Sequence, residues 1–362
     1  MPLCNVEFFS PQTMQCIWHD EAMMPDIDDD YISITNSSIE LSKTTNIQNG
    51  SLIRIRGDYD WVGCVSEVDN LDDDKTTVSF KPFISLFDED CVFDTNTQGG
   101  SKSLESLIAD MFKSRFVNVD SYQKLPLEFK TTSSTTKWDF ALDSSKEESH
   151  YTVVGAYSEI LVDAMSFYGI AVEPTYDFVN KKITLTIGTH PTKFYIDADM
   201  ANVKITKFDI HKSPNAINKL VVWNWEDLSV PVIFYLHPDE TFDTENKNRI
   251  TPVVQGEEIT EYSGEDKDKL TVDQRLAAAA VQCAINKFSG INWSSLIELE
   301  CAWNDKLLDP VNLPFGQQVT IYHDGYSYPS ILTGKKFSGG TVTLSFGTVR
   351  YDLIKKLTRR EA

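Results

Sequence analysis

SLIRIRGDYDWVGCVSEVDNLDDDKTTVSFKPFISLF, residues 51–87, is the stretch of the sequence that most directly decides the fold. Short runs of β-branched, aromatic and aliphatic residues are separated by the polar turns GDYD and DNLDDDK. β-Branched and aromatic residues favour strands, whereas Gly, Asp and Asn favour turns. The stretch therefore predicts an antiparallel meander of strands from Leu52 to Phe87.

Strand patterns recur in the second half of the chain. SLIELECAW, residues 295–303, puts Ile297, Leu299 and Cys301 on one face and Glu298 and Glu300 on the other, which is typical of a strand buried on one side. Glycine-containing turns at 324–325 and 339–340 separate the last strands. Strands are also predicted at 170–176, 181–187, 203–210, 218–226, 230–236, 317–323, 326–337 and 340–347.

Three segments have helical periodicity instead. The first runs from 102 to 116 with Ser103 as its predicted N-cap, and the second runs from 157 to 168 and stops at Gly169. The third, 271–288, opens with the capping box Thr271 and Gln274 and contains four consecutive alanines, which predict close packing. Between the first two helices, residues 131–149 are rich in Ser and Thr and are expected to form a long exposed connection.

Length and charge limit the classes of function. A chain of 362 residues exceeds what one core usually serves, so two to four domains are expected. The net charge is −21 and the pI is near 4.6, which would repel phosphate backbones; specific nucleic-acid binding is not expected. No apolar stretch approaches the roughly 18 residues that span a bilayer, and the N-terminus lacks signal-peptide features, so no membrane segment is expected.

A search for catalytic chemistry gives no candidate residues. The six histidines are far apart and none lies in an HExxH motif, and the six cysteines include no CxxC pair. Cys283 and Cys301 fall on predicted apolar faces and are interpreted as packing residues. The sequence contains no GxSxG, Walker or GxGxxG motif. We therefore predict no enzyme activity, no catalytic, cofactor-binding or metal-binding residues, and no cofactor.

Two other features have both a functional and a structural interpretation. The acidic clusters Asp26, Asp28 to Asp30 and Asp72 to Asp74 could ligate calcium, but the EF-hand glycine and glutamate are missing, so we favour solvated turns. Trp223 and Trp225 would share one strand face and could stack on a sugar, although packing is the commoner use of such a pair.

The final stretch, YPSILTGKKFSGGTVTLSFGTVRYDLIKKL, resembles the closing segment of tail hub proteins from phages of Gram-positive bacteria. The resemblance is carried by Phe346, Gly347, Arg350, Asp352, Leu353, Lys356 and Leu357. Several other segments are similar to that family in the same order: WVGCVSEVDN, KPFISLFD, SLESLIADMF, YSEILVDAMSFYGI, NKLVVWNWED, NRITPVV and SSLIELECAW. The resemblance thus covers most of the chain.

The resemblance implies a fold of the phage baseplate hub type: α+β, mainly β, with two β-barrel-like domains and inserted α+β domains. Residues 1–95 would form the first barrel-like domain and 96–200 an α+β domain. The second barrel-like domain would be discontinuous, from 201–252 and 295–362, around a helical insert at 253–294. Trp61, Phe346, Arg350 and Asp352 would then be barrel or interface residues.

The resemblance also implies partners and a location. Hub subunits assemble as trimers, so this chain would form a homotrimer, dock on the distal tail ring protein, and contact the tape measure or receptor-binding proteins at the virion tail tip. Three subunits with two barrels each could match a sixfold ring. Two alternatives at the tail tip stay open, a carbohydrate-binding adhesion module and a cell-wall hydrolase component, and so does a hub of a secretion machine.

Overall fold

The computed structural model describes most of the chain, and all structural statements below concern that part. It covers residues 2–32, 36–42, 47–72, 75–87, 90–94, 103–119, 124–135, 151–200, 202–209, 218–224, 227–237, 242–245, 254–259, 271–289, 296–347 and 349. Strands dominate and three α-helices accompany them, which confirms the predicted mainly β, α+β class.

The strands are β1 Leu3–Phe9, β2 Cys16–Met23, β3 Ile27–Asp30, β4 Ser37–Leu41, β5 Leu52–Arg56, β6 Asp60–Asp72, β7 Lys75–Pro82, β8 Asp90–Asp94, β9 Leu127–Thr131, β10 Tyr151–Ala156, β11 Ile170–Asp177, β12 Lys182–Asp197, β13 Val203–Asp209, β14 Lys219–Asn224, β15 Asp227–Leu236, β16 Phe242–Asp243, β17 Val254–Ile259, β18 Leu296–Ala302, β19 Gln317–His323, β20 Tyr326–Ser338 and β21 Thr341–Gly347. The helices are α1 Leu104–Phe116, α2 Tyr157–Tyr168 and α3 Val272–Ser289, with a 3₁₀ helix at Phe83–Phe87.

The first sheet is a curled antiparallel sheet with strand order β2-β1-β5-β6-β7-β4. Its edges approach each other where the backbone N–H and hydroxyl of Ser42 donate to one carboxylate oxygen of Asp20, at 3.2 and 2.6 Å. The predicted meander β5-β6-β7 is confirmed, but it ends earlier than expected. Pro82 has no amide donor to continue the ladder, and Phe83, Ile84 and Phe87 are buried together on a 3₁₀ turn.

The second sheet combines strands from distant parts of the sequence, in the order β11-β12-β19-β20-β21-β18-β13. β12 pairs in parallel with both β9 and β19, and β3 pairs antiparallel with β20. The sheet curls, since Phe208 of β13 makes edge-to-face contacts with His323 and Tyr328 of β19 and β20, with ring centroids 4.8 and 5.1 Å apart. The tight turns at Asp324-Gly325 and Gly339-Gly340 have positive φ at all four residues, as predicted.

One apolar core joins the two sheets. Phe8, Ile53 and Phe80 of the first sheet and Leu344 and Phe346 of the second are fully buried in the same cluster. A second cluster packs α1 and α2 against β9, β11 and the first half of β12. Both predicted helix boundaries hold there, because Ser103 caps α1 through the N–H of Ser106 and Gly169 ends α2 at φ 67°.

A smaller unit contains α3 and a separate sheet with order β16-β15-β14-β17. Ala280, Ala284 and Phe288 of α3 are buried against Leu220 and Phe234, as the alanine run predicted, and the capping box of Thr271 and Gln274 forms in both directions. β14 and β15 therefore do not pair with the second sheet, where the predicted domain 201–252 put them, because their own partners are β16 and β17.

Strand pairing also crosses the predicted boundary at residue 200, because β12 contributes to both the α+β unit and the second sheet. Pairing alone does not define folding units, so the predicted domain limits stay a prediction. Within the expected exposed connection 131–149, the first residues are anchored instead: Ser133 and Thr135 donate to the buried carboxylate of Glu105 at 2.6 to 2.9 Å. Residues 136–150 lie outside the described part.

Candidate functional site: a groove between the two sheets

A groove runs along the joint between the first and second sheets. One wall is the turn that joins β5 to β6 and the start of β6, and the other is the loop of residues 303–315 between β18 and β19. It has a large compartment of about 530 Å³ and a small compartment of about 380 Å³. Val311 and Asn312 line both compartments, so the two lie side by side along this part of the loop.

The large compartment contains two opposite charges on neighbouring strands. Asp29 of β3 stands opposite Lys335 of β20 in the antiparallel ladder, so the two side chains share a face. The ammonium of Lys335 donates to the carbonyl of Val311 at 2.9 Å and lies 5.3 Å from the ring centre of Phe315. Burial lowers the pKa of Lys335, and burial raises the pKa of Asp29 more than Lys335 lowers it.

A second pair lies on the first-sheet wall of the large compartment. The guanidinium of Arg54 donates through two nitrogens to both carboxylate oxygens of Asp60 and stacks over Phe178, 4.7 Å from the ring centre. The hydrogen bond to Asp60 raises the pKa of Arg54, so this side chain stays cationic. Each cation of the large compartment thus already has a carboxylate nearby.

Glu173 completes the polar lining where β11 meets the loop. Its carboxylate accepts the backbone N–H of Phe315 at 2.7 Å and lies 3.4 Å from His190. Nearby, the Tyr31 hydroxyl accepts the backbone N–H of Val172 at 2.9 Å, and burial raises the pKa of Tyr31 well above its usual range. These bonds fix the α+β unit against the joint between the sheets.

The small compartment is lined by two aromatic rings, Tyr59 and Trp303, together with carboxylates and Lys306. Burial raises the pKa of the Tyr59 phenol, and the negative charges of Asp26 and Asp58 raise it further. This second effect indicates a negative electrostatic potential at the ring.

The sequence did not predict this groove: of its residues, it singled out only Asp29, in a cluster interpreted as a solvated turn, and Trp61, as a barrel or interface residue. The available signal was a similarity between two turns, DYDW at 58–61 and WNDKLLD at 303–309, each of which combines acids with aromatic residues. The segments are more than 240 residues apart, and nothing in either one reveals that they meet.

The structure also locates the residues that the sequence singled out. Trp61 and Phe346 are buried in the common core. Trp223 packs its ring over Gly256 of the neighbouring strand, which accords with the packing interpretation. Cys301 is buried, and Cys283 is half-buried against the core beneath α3. Trp225, Arg350, Asp352, Leu353, Lys356 and Leu357 lie outside the described residues.

The first acidic cluster is spread along β3 and beyond it. Asp28 lies 3.5 Å from Lys336, and Asp29 faces Lys335. Asp73 and Asp74 lie outside the described residues, and the side chain of Asp72 is not described. Among described side chains, the group that could hold a metal ion is Asp199, His323 and Asp324. His323 Nδ1 lies 2.6 Å from Asp199, and the group is largely exposed.

No described helix is long and apolar enough to cross a membrane. No family model matches the sequence, and no curated protein matches it.

Solved structures do resemble this chain. A 43 kDa tail protein of prophage MuSo2 from Shewanella oneidensis has 11% identity and a TM-score of 0.53, covering 96% of this chain and 98% of its own. A tail protein from Neisseria meningitidis MC58 has 10% identity and a TM-score of 0.52, covering 95% and 96%. Prophage tail protein gp18 from Listeria monocytogenes covers 100% and 98% at a lower TM-score of 0.47. The chain therefore shares its fold, over nearly its whole length, with phage and prophage tail proteins.

Proposed function

We propose that this protein is a structural hub at the distal end of a phage or prophage tail. The observation that carries the proposal is the fold shared over at least 95% of both chains with two tail proteins. The sequence supports it independently through the ordered segments that resemble tail hub proteins. The expected restriction to phages of Gram-positive bacteria stays a prediction.

As a hub, three copies would dock on the distal tail ring and surround an axial channel for DNA, with the tape measure or receptor-binding proteins as further partners. The two curled sheets of each subunit support this arrangement, because three subunits would present six of them to a sixfold ring. The net charge of −21 is suited to a channel through which DNA passes without adsorbing.

The first test is the solution mass of the full chain by light scattering at several concentrations, alone and mixed with the distal tail ring protein. A trimer, or a trimer formed only with the ring, supports the hub. A chain that stays monomeric with and without the ring contradicts it and favours an adhesion or enzymatic role.

Exposed aromatic residues on the second sheet give a candidate contact face between copies. Tyr195 and Tyr322 stack with ring centres 6.1 Å apart and are 60% and 42% exposed. Exposed apolar patches often mark protein interfaces. We expect Tyr195→Ser combined with Tyr322→Ser to lower the mass of the assembly, while Val179→Ser, at an 89% exposed turn residue, leaves it unchanged. An unchanged mass for the tyrosine variant rejects this face as the contact.

The proposed channel is tested by genome ejection. If acidic side chains line the channel, replacing several Asp and Glu residues of the channel wall with lysine would make DNA adhere to it and slow ejection. Equal ejection rates for parent and variant virions would contradict the channel role. They would not bear on the hub role, which the light-scattering measurement tests.

A further inference from the structure

Among described residues, the carboxylates of the small compartment accept hydrogen bonds only from neutral donors, and Asp309 also lies near the buried cation Lys335. Asp58 is exposed and, among described residues, has no hydrogen-bond or ion-pair partner. Asp305 accepts only neutral donors, two backbone N–H groups at 2.8 and 2.9 Å and the amide of Asn202 at 2.8 Å. Asp309 accepts the side-chain amide of Asn312 at 2.9 Å. Among the described residues that line it, the small compartment has three carboxylates and one cation, Lys306.

The aromatic rings of the same compartment suit a cation. Trp303 and Tyr59 are both half-buried, so their rings have part of their surface open to the compartment. An ammonium or guanidinium is attracted to the face of such rings, most strongly to that of tryptophan. The carboxylates of Asp58 and Asp309 would add direct charge attraction.

The large compartment has a different chemistry. Its two cations are already occupied, Arg54 by Asp60 and Lys335 by Val311 and the nearby Asp29. Among the described lining residues, Lys335 also has the negative charges of Glu173 and Asp309 nearby, which disfavours an anion there. Its lining offers polar and apolar surface in nearly equal amounts, and the apolar part comes from Phe83, Phe178, Leu313, Pro314 and Phe315. Apolar side chains would bind there by removing these surfaces from water.

From this arrangement we propose that the groove binds a peptide segment of a partner protein, with an arginine or lysine side chain in the small compartment and adjacent apolar side chains in the large one. The two compartments are neighbours that share Val311 and Asn312, so one extended segment could reach both. The charge distribution disfavours nucleic acid and anionic ligands. This inference does not depend on the proposed hub role.

The test uses the full chain with its seven tryptophans replaced by 5-fluorotryptophan, followed by ¹⁹F NMR. The Trp303 resonance is assigned with the variant Trp303→Phe. The probes are acetylated, amidated tetrapeptides, Arg-Leu-Lys-Leu and, as the charge-reversed match, Glu-Leu-Glu-Leu. We expect Arg-Leu-Lys-Leu to shift the Trp303 resonance saturably below about 1 mM, and Glu-Leu-Glu-Leu to leave it in place.

Variants separate a specific site from general attraction to an acidic protein. Asp58→Asn with Asp309→Asn should weaken binding about tenfold, because it removes two charges that contact the cation. Asparagine suits position 309, where φ is 44°. The control, Glu67→Gln with Asp69→Asn, removes two exposed charges from β6 outside the groove and should leave affinity unchanged.

Three outcomes would overturn the proposal. One is the absence of any shift up to 5 mM peptide. Another is equal weakening by the groove and control variants, which would mean general charge attraction. The third is a Trp303 shift with a neutral disaccharide such as N,N′-diacetylchitobiose but not with the peptide, which would make the groove a saccharide site.

Discussion

The two large sheets are similar in shape but differ in how the chain builds them. The strands of the first sheet all come from residues 3–82, whereas the second sheet gathers β3 from the N-terminal part, β12 from the α+β unit and β18 to β21 from the last part. The first sheet surrounds apolar side chains, while the second turns Lys335 toward the joint, where it meets Asp29. The sheet built from distant segments thus places two opposite charges opposite each other where those segments meet.

The shared core predicts that both sheets unfold together. Phe80 in the first sheet and Phe346 in the second are fully buried in the same cluster. Phe80→Ala and Phe346→Ala should each lower the free energy of unfolding by about 3–5 kcal/mol, through lost burial and the cavity left behind. Urea unfolding followed by circular dichroism should show one transition for these sheets that both variants shift.

Matched surface variants control for the loss of apolar area in general. Leu3→Ala in the first sheet and Tyr326→Ala in the second remove side chains that are 65% and 67% exposed, and each should cost less than about 1 kcal/mol. Two separate transitions, each shifted by only one of the phenylalanine variants, would mean that the sheets are independent folding units.

Lys335 tests the attraction between opposite charges that distinguishes the second sheet. Lys335→Met leaves Asp29 without its nearby cation and should destabilise the protein by about 2–4 kcal/mol at pH 7. Combining it with Asp29→Asn should recover much of that loss, because no charge is then left uncompensated. Thermal unfolding of the two variants measures the difference, and a double variant less stable than Lys335→Met would show that the loss of charge attraction on Asp29 is not the cause.

The loss of stability in Lys335→Met should depend on pH. Burial already raises the pKa of Asp29, and loss of Lys335 raises it further, so the folded state binds this proton more tightly than the unfolded chain does. Stability linked to Asp29 therefore falls as the pH rises from the unfolded value near 4 to the raised folded value. The penalty of Lys335→Met should shrink as the pH is lowered from 7 to 5. A constant penalty over that range contradicts the role of Asp29.

The contrast between the sheets also explains how much of the fold could be predicted. Local rules worked where neighbouring residues decide the structure: the meander β5-β6-β7, the Ser103 cap, the capping box at Thr271 and the glycine turns. They did not reveal that β3 joins the second sheet or that β14 pairs with β17. Such pairings depend on contacts between residues far apart in the sequence.

The groove was missed for the same reason. Asp58 and Tyr59 look like an ordinary polar turn, and Trp303 to Asp309 look like an ordinary loop. Their chemistry arises only because the two sheets pack so that both segments line one depression. The functional prediction came instead from the resemblance to hub proteins, which concerns the order of segments and not any one site.

Two glycines serve different purposes in the two sheets, and the one in the hairpin of the second sheet should have the smaller effect. At Gly63 in β6, an added methyl group would overlap the Trp61 indole and the Lys81 carbonyl, whereas at Gly325 there is open space but φ is 80°. We expect Gly63→Ala to cost about 3 kcal/mol through overpacking and Gly325→Ala about 1 kcal/mol through backbone strain alone. Gly325→Asn should recover part of the smaller loss, because asparagine tolerates positive φ. If Gly325→Ala proved the more damaging variant in urea unfolding, the tight hairpin of the second sheet, and not close packing in the first, would be the more sensitive feature.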